Sequence, residues 1–461
     1  MKVAHHALRY LPETVDGIVI FIKSLIEKLE NFGIENTVVA PVHGTEEMRY
    51  SQAKTEVYRY PYISAQQNKQ NKIAQPACKT ANYGDIPSNE GLRAWIEPHW
   101  GIEHFASWLK QQQFDIYHLH NWKPSCGLSH LRTAKKLGLK SVVTLHSPAP
   151  VCFRVTMMLN GQEPCDGRIE VKRCRNCCNS SFPAWVNQAW SYIPETWSIK
   201  LPASPLTNAL NNATLVDYRR KALVDMATLA DRITVPCQWL YDALLLNGLP
   251  EEKIILCRHC VADSGSTVPS RLTDVNKPLK IGYLGRWTQT KGLNVLIQAV
   301  QNLPPDVSVK LVVHAFAHLE REKAFREQIL SSLAQNDGRI EIAEPLPREQ
   351  IAEAMADFDL LAVPSQWLET GPLVVLEAHG AGTPVLGSDM GGIAELVRHG
   401  IDGWLIPQHE VRSRTAWGDA IAHLAKNPDL VANFRCNIQP VRTFERVAQD
   451  YKDIYHQILG C

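Results

Sequence analysis

The chain has 461 residues, of which 45% are hydrophobic and 21% are charged, and its formal net charge is +1. This length exceeds what one hydrophobic core usually supports, so the sequence predicts two large domains. The near-neutral charge excludes a surface that coats nucleic acid, so no nucleic-acid partner is expected. The sequence contains no apolar run of membrane-spanning length, and its first residues lack the apolar core of a signal peptide. We therefore expect a cytoplasmic protein.

The first part of the sequence alternates segments typical of buried strands with segments typical of amphipathic helices. In chain order the strand-like segments are KVAHHA, NTVVAPV, FDIYHLH, KSVVTLH, RITVP and KIILC. Helices are predicted over 16–33, over about 127–137 and between the last two strands. Strands that alternate with helices predict a parallel sheet covered on both faces.

A polar segment rich in small residues, 261–278, interrupts the alternation and is predicted to be a domain linker. After it the alternation resumes with LKIGYLG, VSVKLVVHA, RIEIAEPL, DLLAVPS and TPVLGSD, with a helix predicted between each successive pair. The predicted domains are 1–265, with a cysteine-rich insertion at about 150–180, and 266–461. The last helix, at 446–460, is polar enough to lie on a surface, and its packing against the first domain is left open. Two such doubly wound domains create a cleft between the carboxyl ends of their sheets, where ligands of open α/β sheets bind.

The stretch PSQWLETGPLVVLEAHGAGTPV, residues 364–385, follows a predicted buried strand. Glu369 is expected on the loop that leaves the carboxyl end of this strand. Gly371 lets a ligand approach the backbone, and Pro372 suits the first turn of a helix. Together with Leu373, these residues predict a helix start that binds a phosphate group through backbone N–H groups and the helix dipole.

The same helix, predicted over about 372–379, carries a second carboxylate at Glu377. At this depth Glu377 is suited to accept hydrogen bonds from paired hydroxyls such as those of a ribose, whereas Glu369 faces the group attached to the phosphate. The alternative is a pair of surface acids near a helix start, where acids are common.

A second loop, GYLGRWTQTKG, follows the first strand of the predicted second domain. It supplies two cations, Arg286 and Lys291, bracketed by Gly285 and Gly292. Opposite a helix start, two cations can hold a pyrophosphate and stabilise its charge as it departs. The alternative is an ordinary solvated loop between a strand and a helix.

Together these segments resemble the retaining nucleotide-sugar glycosyltransferases of family four, which have the GT-B fold of two Rossmann-like domains that face each other across a cleft. The matching motifs are GYLGRWTQTKG, VPSQWLETGPLVVLEAHGAGTPVLGSDMGGIAELV and DGWLIP, within about 279–407. The resemblance implies that Arg286 and Lys291 bind the donor phosphates, Glu377 the ribose and Glu369 the donor sugar. It also implies that transfer requires no metal cofactor.

The first domain resembles the family at fewer positions. The family often has a Gly-Gly turn before the first long helix, and here Asp16 precedes Gly17, which is the candidate for donor contact. Two predicted strands end in histidine, as the family's strands do. The resemblance assigns His146 to the cleft near the reacting sugar carbon, and His120 is a second candidate. The alternative for either residue is a structural histidine that ends a strand.

The twelve cysteines, in a reducing compartment, are expected to be thiols or metal ligands. Cys152, Cys165, Cys174 and Cys177 form a Cys-x12-Cys-x8-Cys-x2-Cys array, with Cys178 adjacent. Four thiolates at such spacing suit a structural, tetrahedral zinc, and the polar segment around them needs a staple. Free thiols and an iron–sulfur cluster are the alternatives.

The sequence thus predicts an enzyme that moves a sugar, of hexose type, from a nucleoside diphosphate-sugar donor to a hydroxyl acceptor with retention of anomeric configuration. The acceptor is a sugar, a glycolipid or another hydroxyl compound, and peripheral contact with the cytoplasmic membrane face is left open. Rival hypotheses are another GT-B enzyme, such as a sugar-nucleotide epimerase or a phosphorylase, and a non-catalytic carbohydrate-binding relative.

Overall fold

The structure, a computed structural model, divides the chain into two compact units. The described residues are 1–13, 17–62, 95, 101–180, 182–190, 205–261, 277–333 and 338–460. The first unit comprises Met1–Arg258 together with Phe444–Cys461, and the second comprises His259–Thr443. The chain therefore passes from the first unit to the second after Arg258 and returns to the first after Thr443. Most of the predicted linker, 262–276, lies outside the described residues.

The first unit contains an eight-stranded sheet in the order β10-β9-β6-β5-β1-β2-β4-β3. Strands of this unit are β1 (Lys2–His6), β2 (Glu35–His43), β3 (Met48–Gln52), β4 (Thr55–Tyr62), β5 (Ile116–Leu119), β6 (Lys140–Thr144), β7 (Met158–Leu159), β8 (Glu163–Pro164), β9 (Arg232–Val235) and β10 (Ile254–Leu256). All paired strands of the large sheet run parallel except β3, which runs antiparallel to β4. Strands β7 and β8 form a separate antiparallel pair within the cysteine-rich insertion.

Helices of the first unit lie between these strands and at the end of the chain. They are Gly17–Asn31, Ile102–Gln111, Leu128–Lys136, Val171–Cys178, Ala184–Trp190, Pro205–Leu229, Gln238–Leu246 and Phe444–Leu459, with a 3-10 turn at Glu251–Lys253. The sequence patterns did not predict β3, β4 or the long helix Pro205–Leu229. Within the described ranges, no helix is both long enough and apolar enough to cross a membrane.

The second unit contains a six-stranded parallel sheet in the order β13-β12-β11-β14-β15-β16. Its strands are β11 (Leu279–Arg286), β12 (Val309–Phe316), β13 (Ile340–Ala343), β14 (Leu360–Val363), β15 (Val385–Ser388) and β16 (Gly403–Ile406). Its helices are Leu293–Gln301, Glu320–Ser332, Arg348–Ala356, Leu373–Gly380, Gly391–Leu396, Arg414–Lys426 and Pro428–Cys436, with 3-10 turns at Gln289–Lys291 and Gln408–Glu410.

Both faces of this second sheet are covered, as continuous apolar strands require. Successive side chains of β14 alternate between two cores: Leu360 and Ala362 belong to one, and Leu361 and Val363 to the other. All four are buried, and full burial of such side chains contributes about 1.5–3 kcal/mol for each large one. The predicted α/β class with two parallel-sheet domains is therefore confirmed.

The last helix, Phe444–Leu459, has one buried face rather than lying loosely on a surface. Its tyrosines bond to the sheet of the first unit, to which it belongs: the Tyr455 hydroxyl is 2.6 Å from Nδ1 of His118, and the Tyr451 hydroxyl is 2.9 Å from Oγ1 of Thr144. Its charged residues had suggested a surface position, but they occupy only the opposite face of an amphipathic helix.

Candidate functional site

The strand order of the second unit reverses between β11 and β14. From β11 the sheet grows through β12 and β13 in one direction, and from β14 through β15 and β16 in the other. At such a switch point the loops that leave two adjacent strands diverge and open a crevice at their carboxyl ends. The loops that carry Lys291 and Glu369 leave these two strands, so the fold places both at one sheet edge.

The two loops touch through their backbones. The N–H of Gln366 donates to the carbonyl of Thr290 at 2.8 Å. Gly292 has a positive φ of 70°, and a Cβ at this position would lie 1.8 Å from the carbonyl oxygen of Pro364. Only glycine permits this approach, which fixes the position of Lys291 relative to the strand β14 exit.

We expect Gly292→Ala to lower the free energy of unfolding more than the same substitution at another glycine with a similar positive φ. Gly400 is the matched control, because its φ is 74° and a Cβ added there would have no atom of the described residues within 4 Å. Gly400→Ala should lower the free energy of unfolding by about 1–2 kcal/mol for the left-handed conformation. Gly292→Ala should cost about 1–3 kcal/mol more because of the overlap with Pro364. Urea denaturation of the two variants measures the difference, and equal losses would contradict the packing argument.

Lys291 and Glu369, which were predicted to contact different parts of a donor, form an ion pair in the structure. The Lys291 Nζ lies 2.7 Å from Oε1 of Glu369, and the Ser365 hydroxyl donates to the same oxygen at 2.7 Å. Glu369 is buried, and the ammonium also lies 5.8 Å from the ring centre of Trp367. These contacts hold the cation and the carboxylate next to each other at the carboxyl ends of β11 and β14.

Arg286, the last residue of β11, is held by a carboxylate that no sequence pattern had identified. Its Nη1 lies 3.7 Å from Oε1 of Glu322, whose side chain is only 1% exposed, whereas the Arg286 side chain is 39% exposed. The second oxygen of Glu322 accepts hydrogen bonds from the backbone N–H groups of His318 and Leu319, at 2.9 and 3.2 Å. The buried carboxylate thus caps a helix with one oxygen, whereas its other oxygen has no hydrogen bond among the described residues and forms only the 3.7 Å ion pair with the exposed guanidinium.

The helix after the Glu369 loop spans Leu373–Gly380, and Pro372 is its N-cap residue rather than part of its first turn. Gly371 precedes it with a positive φ of 104°, which glycine adopts readily. As a proline, the N-cap residue offers no side-chain acceptor to the helix start. The N–H of Val375 already donates to the carbonyl of Pro372 at 3.1 Å, so the donor capacity that an anion requires lies with the N–H groups of Leu373 and Val374.

Glu377 lies one turn into this helix and contacts a different basic residue. Its Oε1 is 3.8 Å from Nη1 of Arg348. Burial raises the pKa of the Glu377 carboxyl, and the nearby Arg348 guanidinium opposes that shift. Glu369 and Glu377 therefore have distinct partners, which is compatible with two distinct roles.

A third loop supports the Glu369 segment from the side. Gly391 and Gly392 follow β15, and the N–H of Gly392 donates to the carbonyl of Glu369 at 2.7 Å. A Cβ on Gly392 would lie 2.4 Å from the backbone nitrogen of Gly371, so this position also requires glycine. The Gly-Gly pair is visible in the sequence, but its contact with a loop some twenty residues earlier is not.

In the first unit, the predicted donor residues lie at the corresponding sheet edge. His146 follows β6 by two residues and is buried, with its Nε2 3.4 Å from Nδ1 of the buried His120. Gly17 is the exposed first residue of its helix. Asp16, whose effect on donor binding was in question, lies outside the described residues.

Two family models match the chain. Residues 269–439 match the model described as "Glycosyl transferases group 1", and residues 15–180 match "Glycosyltransferase Family 4". Together they cover more than two thirds of the sequence. The chain belongs to the family 4 glycosyltransferases. The resemblance inferred from the motifs is therefore confirmed.

Individual relatives match part of this chain. The amylovoran biosynthesis glycosyltransferase AmsK of Erwinia amylovora is 28% identical over 183 residues, which are 38% of this chain and 43% of that protein. A D-inositol 3-phosphate glycosyltransferase of Xylanimonas cellulosilytica is 36% identical over 153 residues, 32% of this chain and 34% of that protein. The matched region thus spans less than half of the length of these relatives.

Solved structures match along nearly the entire length of the chain. Anabaena HepE in complex with UDP and glucose has a TM-score of 0.56 at 15% identity, and covers 100% of this chain and 98% of its own. Sucrose-phosphate synthase from Thermosynechococcus elongatus has a TM-score of 0.61 at 16% identity, and covers 100% and 99%. At these identities the likeness establishes the fold.

The cysteine-rich insertion gathers the predicted thiols without bringing three of them within ligating distance of one another. Burial, together with the neighbouring Cys165, Cys152 and Cys177 sulfurs, raises the pKa of the Cys174 thiol to about 11, and a backbone hydrogen bond at Glu170 opposes this shift. In the described part of the chain, however, the ligand atoms that lie within 4.8 Å of one another in a group of three belong to histidines. The zinc site stays a prediction.

The sulfurs of the insertion donate as well as accept hydrogen bonds, as thiols do: Cys177 donates to the carbonyl of Met158 at 3.8 Å, and Cys165 donates to Oδ1 of Asp166 at 3.7 Å. The Asn160 N–H donates to the Cys177 sulfur at 3.1 Å, and Arg173 donates to the Cys165 sulfur at 3.5 Å. Val155, Met157 and Asn160 all have positive φ angles, which are uncommon outside glycine. A strained loop whose sulfurs accept hydrogen bonds favours a stabilising cross-link, such as a bound metal ion, at this position.

Proposed function

We propose that this protein transfers a sugar from a nucleoside diphosphate-sugar to a hydroxyl acceptor, with retention of anomeric configuration. The single observation that carries the proposal is the convergence of Lys291, Glu369 and the helix start at Leu373 at the switch point of the second unit. This edge combines cations for a diphosphate, a buried carboxylate for sugar hydroxyls and N–H donors for a phosphate oxygen.

In the proposed reaction, the bond between the sugar's anomeric carbon and the diphosphate oxygen breaks, and a bond to the acceptor oxygen forms on the same face. Arg286 and Lys291 stabilise the charge of the departing diphosphate. The departing oxygen collects the acceptor's proton, so no separate protein base is required. The Glu322 carboxylate keeps Arg286 oriented, and Ser365 helps to orient Glu369.

Known relatives support a nucleotide-sugar donor. Anabaena HepE has been solved in complex with UDP-glucose and shares this fold over its whole length. The curated relatives are glycosyltransferases that act in amylovoran biosynthesis or on D-inositol 3-phosphate. A sugar, a glycolipid or another hydroxyl compound is accordingly the proposed class of acceptor.

A panel of nucleotide sugars tests the proposal in two stages. A donor that binds the native state alone raises the melting temperature, which selects candidates for turnover assays with a labelled sugar. Label that reaches a hydroxyl compound, with the anomeric configuration of the donor by NMR, supports a retaining transferase. Conversion of the donor without any acceptor indicates an epimerase, and binding without turnover indicates a non-catalytic relative. Inversion would overturn the stereochemical part alone.

The two carboxylates should separate nucleotide binding from sugar transfer. We expect Glu377→Ala to weaken the binding of free nucleoside diphosphate by about tenfold, the loss of a hydrogen bond to a charged group. Glu369→Ala should leave that binding nearly unchanged and lower turnover of the intact donor, because its proposed partners are sugar hydroxyls. Isothermal titration with UDP or another nucleoside diphosphate measures the first effect. Equal affinity in both variants would show that this division of roles is wrong.

Because Glu369 is buried against Lys291, its removal also leaves the ammonium without that partner. Glu369→Gln is the control variant, since it keeps an oxygen for the Ser365 hydroxyl and a similar shape. The two Glu369 variants should lose turnover together if the carboxylate's charge is what the sugar requires.

A further inference from the structure

An asparagine and three histidine rings, on or just after four adjacent strands of the first unit, are linked by successive hydrogen bonds up to His146. The Nε2 of His5, on β1, lies 2.9 Å from Oδ1 of Asn36, on β2. The Nδ1 of His5 lies 3.0 Å from Nε2 of His120, which follows β5. The Nδ1 of His120 lies 3.4 Å from Nε2 of His146, which follows β6. We name this set, Asn36–His5–His120–His146, the histidine relay.

The Asn36 amide determines which nitrogen of each imidazole in the histidine relay carries hydrogen. The Asn36 amide nitrogen donates to the carbonyl of Ile34 at 2.8 Å, which turns Oδ1 towards His5. An amide oxygen can only accept, so His5 must carry its hydrogen on Nε2. A neutral imidazole has one N–H, so His5 Nδ1 accepts from His120 Nε2. By the same reasoning, His120 Nδ1 accepts from His146 Nε2.

The two rings that precede His146 in the relay are neutral at ordinary pH. His5 and His120 are fully buried, and burial lowers the pKa of His5 to about 4 and that of His120 well below its usual value. Hydrogen bonding to Asn36 opposes the pKa shift at His5, whereas neighbouring histidines add to it at His120. Each of these rings therefore has one N–H donor and one acceptor nitrogen. The position of the hydrogen on His5 thus determines which nitrogen of His146 carries hydrogen.

We propose that Asn36 is a positioning residue that acts through His5 and His120 to fix the tautomer of His146, with hydrogen on Nε2 and an acceptor lone pair on Nδ1. The ring of Phe21 packs edge-on against His146, with centroids 4.9 Å apart, and restricts its rotation. In the proposed function His146 lies near the reacting sugar carbon, so Asn36 would set the hydrogen bonds that this ring makes there. That last consequence rests on the proposed function, whereas the tautomer itself does not.

The contacts of a neighbouring ring argue against a simpler explanation, that these histidines form a metal site. His5, His118 and His120 have nitrogens within 4.8 Å of one another, which would suit a metal by distance alone. Both nitrogens of His118, however, are bonded to hydroxyls, Nδ1 to Tyr455 at 2.6 Å and Nε2 to Thr144 at 2.7 Å. A metal would have to replace these bonds and those of the relay. It would also disrupt the hydrogen bonds that place the hydrogen of His146 on Nε2.

Histidine-selective ¹⁵N labelling tests the proposal on the intact protein without any substrate. His146→Gln identifies the His146 resonances, and the wild-type protein should show His146 as the Nε2–H tautomer. In Asn36→Leu the terminal acceptor is lost, so the three relay rings should populate both tautomers. Asn36→Asp should restore the wild-type pattern, because a carboxylate also only accepts. A merely structural role for Asn36 would not produce this loss and rescue of a tautomer.

Several results would overturn the proposal, and one of them needs no variant. An Nδ1–H tautomer of His146 in the wild-type protein contradicts it even if Asn36→Leu fails to fold. An unchanged tautomer in folded Asn36→Leu also contradicts it, as does a metal bound by His5, His118 and His120. If transfer is detected, Asn36→Leu should lower kcat/KM by about tenfold, the scale of one lost hydrogen bond, with Asn36→Asp restoring it. Absence of all transfer would instead count against the proposed function and leave the tautomer result standing.

Discussion

We expect Arg286→Ala to lower the rate of sugar transfer by at least about a hundredfold, the scale of losing one charged contact to a transition state. The guanidinium is exposed enough to reach a ligand, and it is oriented by the buried Glu322 carboxylate. Steady-state turnover of the donor identified by the panel measures the effect. Lys291→Ala should produce a loss of the same order, because its ammonium occupies the same sheet edge.

In these variants a loss of turnover must be distinguished from a loss of folding stability, because each substitution leaves a buried carboxylate without its cation. The double change Arg286→Ala with Glu322→Gln removes the unpaired charge, and should remain as inactive as Arg286→Ala while regaining stability. Arg321→Ala, an exposed arginine next to Glu322 on the same helix, is the control for a general loss of positive charge. Near-normal turnover of folded Arg286→Ala or Lys291→Ala would rule out the diphosphate assignment.

The second large effect concerns the cysteine-rich insertion, for which we expect about one structural zinc per chain, bound by Cys152, Cys165, Cys174 and Cys177. Because Zn–S bonds are about 2.3 Å long, the four sulfurs must draw closer than they lie in the structure. Elemental analysis of protein purified without added metal measures the stoichiometry. Removal by a chelator should lower the melting temperature and leave nucleoside diphosphate affinity largely intact, because a site closed by four thiolates has no open position for chemistry.

Cysteine variants distinguish this site from the histidines of the first unit. Cys174→Ser should abolish zinc binding, whereas Cys178→Ser, adjacent to the array, should retain it. Zinc that persists in Cys174→Ser would point to His5, His118 and His120 instead. Substoichiometric zinc and iron, with all five cysteines reacting rapidly in the folded protein, would exclude the metal site.

Local patterns were sufficient for the fold class and for the position of the donor loops. Alternation of apolar strands and amphipathic helices is set by residues within a few positions of one another, and it predicted both parallel sheets. The Gly-Pro break after Glu369 and the glycines around Arg286 and Lys291 are likewise local. They predicted loops at strand ends; the structure has Glu369 and Lys291 beyond the ends of their strands, whereas Arg286 is the last residue of β11 itself.

Other elements escaped prediction because their signals are not periodic. The strands Met48–Gln52 and Thr55–Tyr62 form a short hairpin at the sheet edge, and the helix Pro205–Leu229 has apolar residues on all sides rather than one stripe. Tertiary packing rather than an amphipathic pattern stabilises such elements. The last helix shows the converse, since its pattern is strong but does not say which unit it packs against.

The sequence by itself determined which residues could bind a diphosphate-sugar, because glycine, proline and charge act at the loop that carries them. Only the tertiary structure decided how those residues are held. Glu322 reaches Arg286 because β11 and β12 are neighbours in the sheet, and Lys291 reaches Glu369 because β11 and β14 are. The histidine relay likewise exists only because β2, β1, β5 and β6 are adjacent. Strand order is fixed by the packing of distant segments around a shared core, so no local stretch of the sequence contains it.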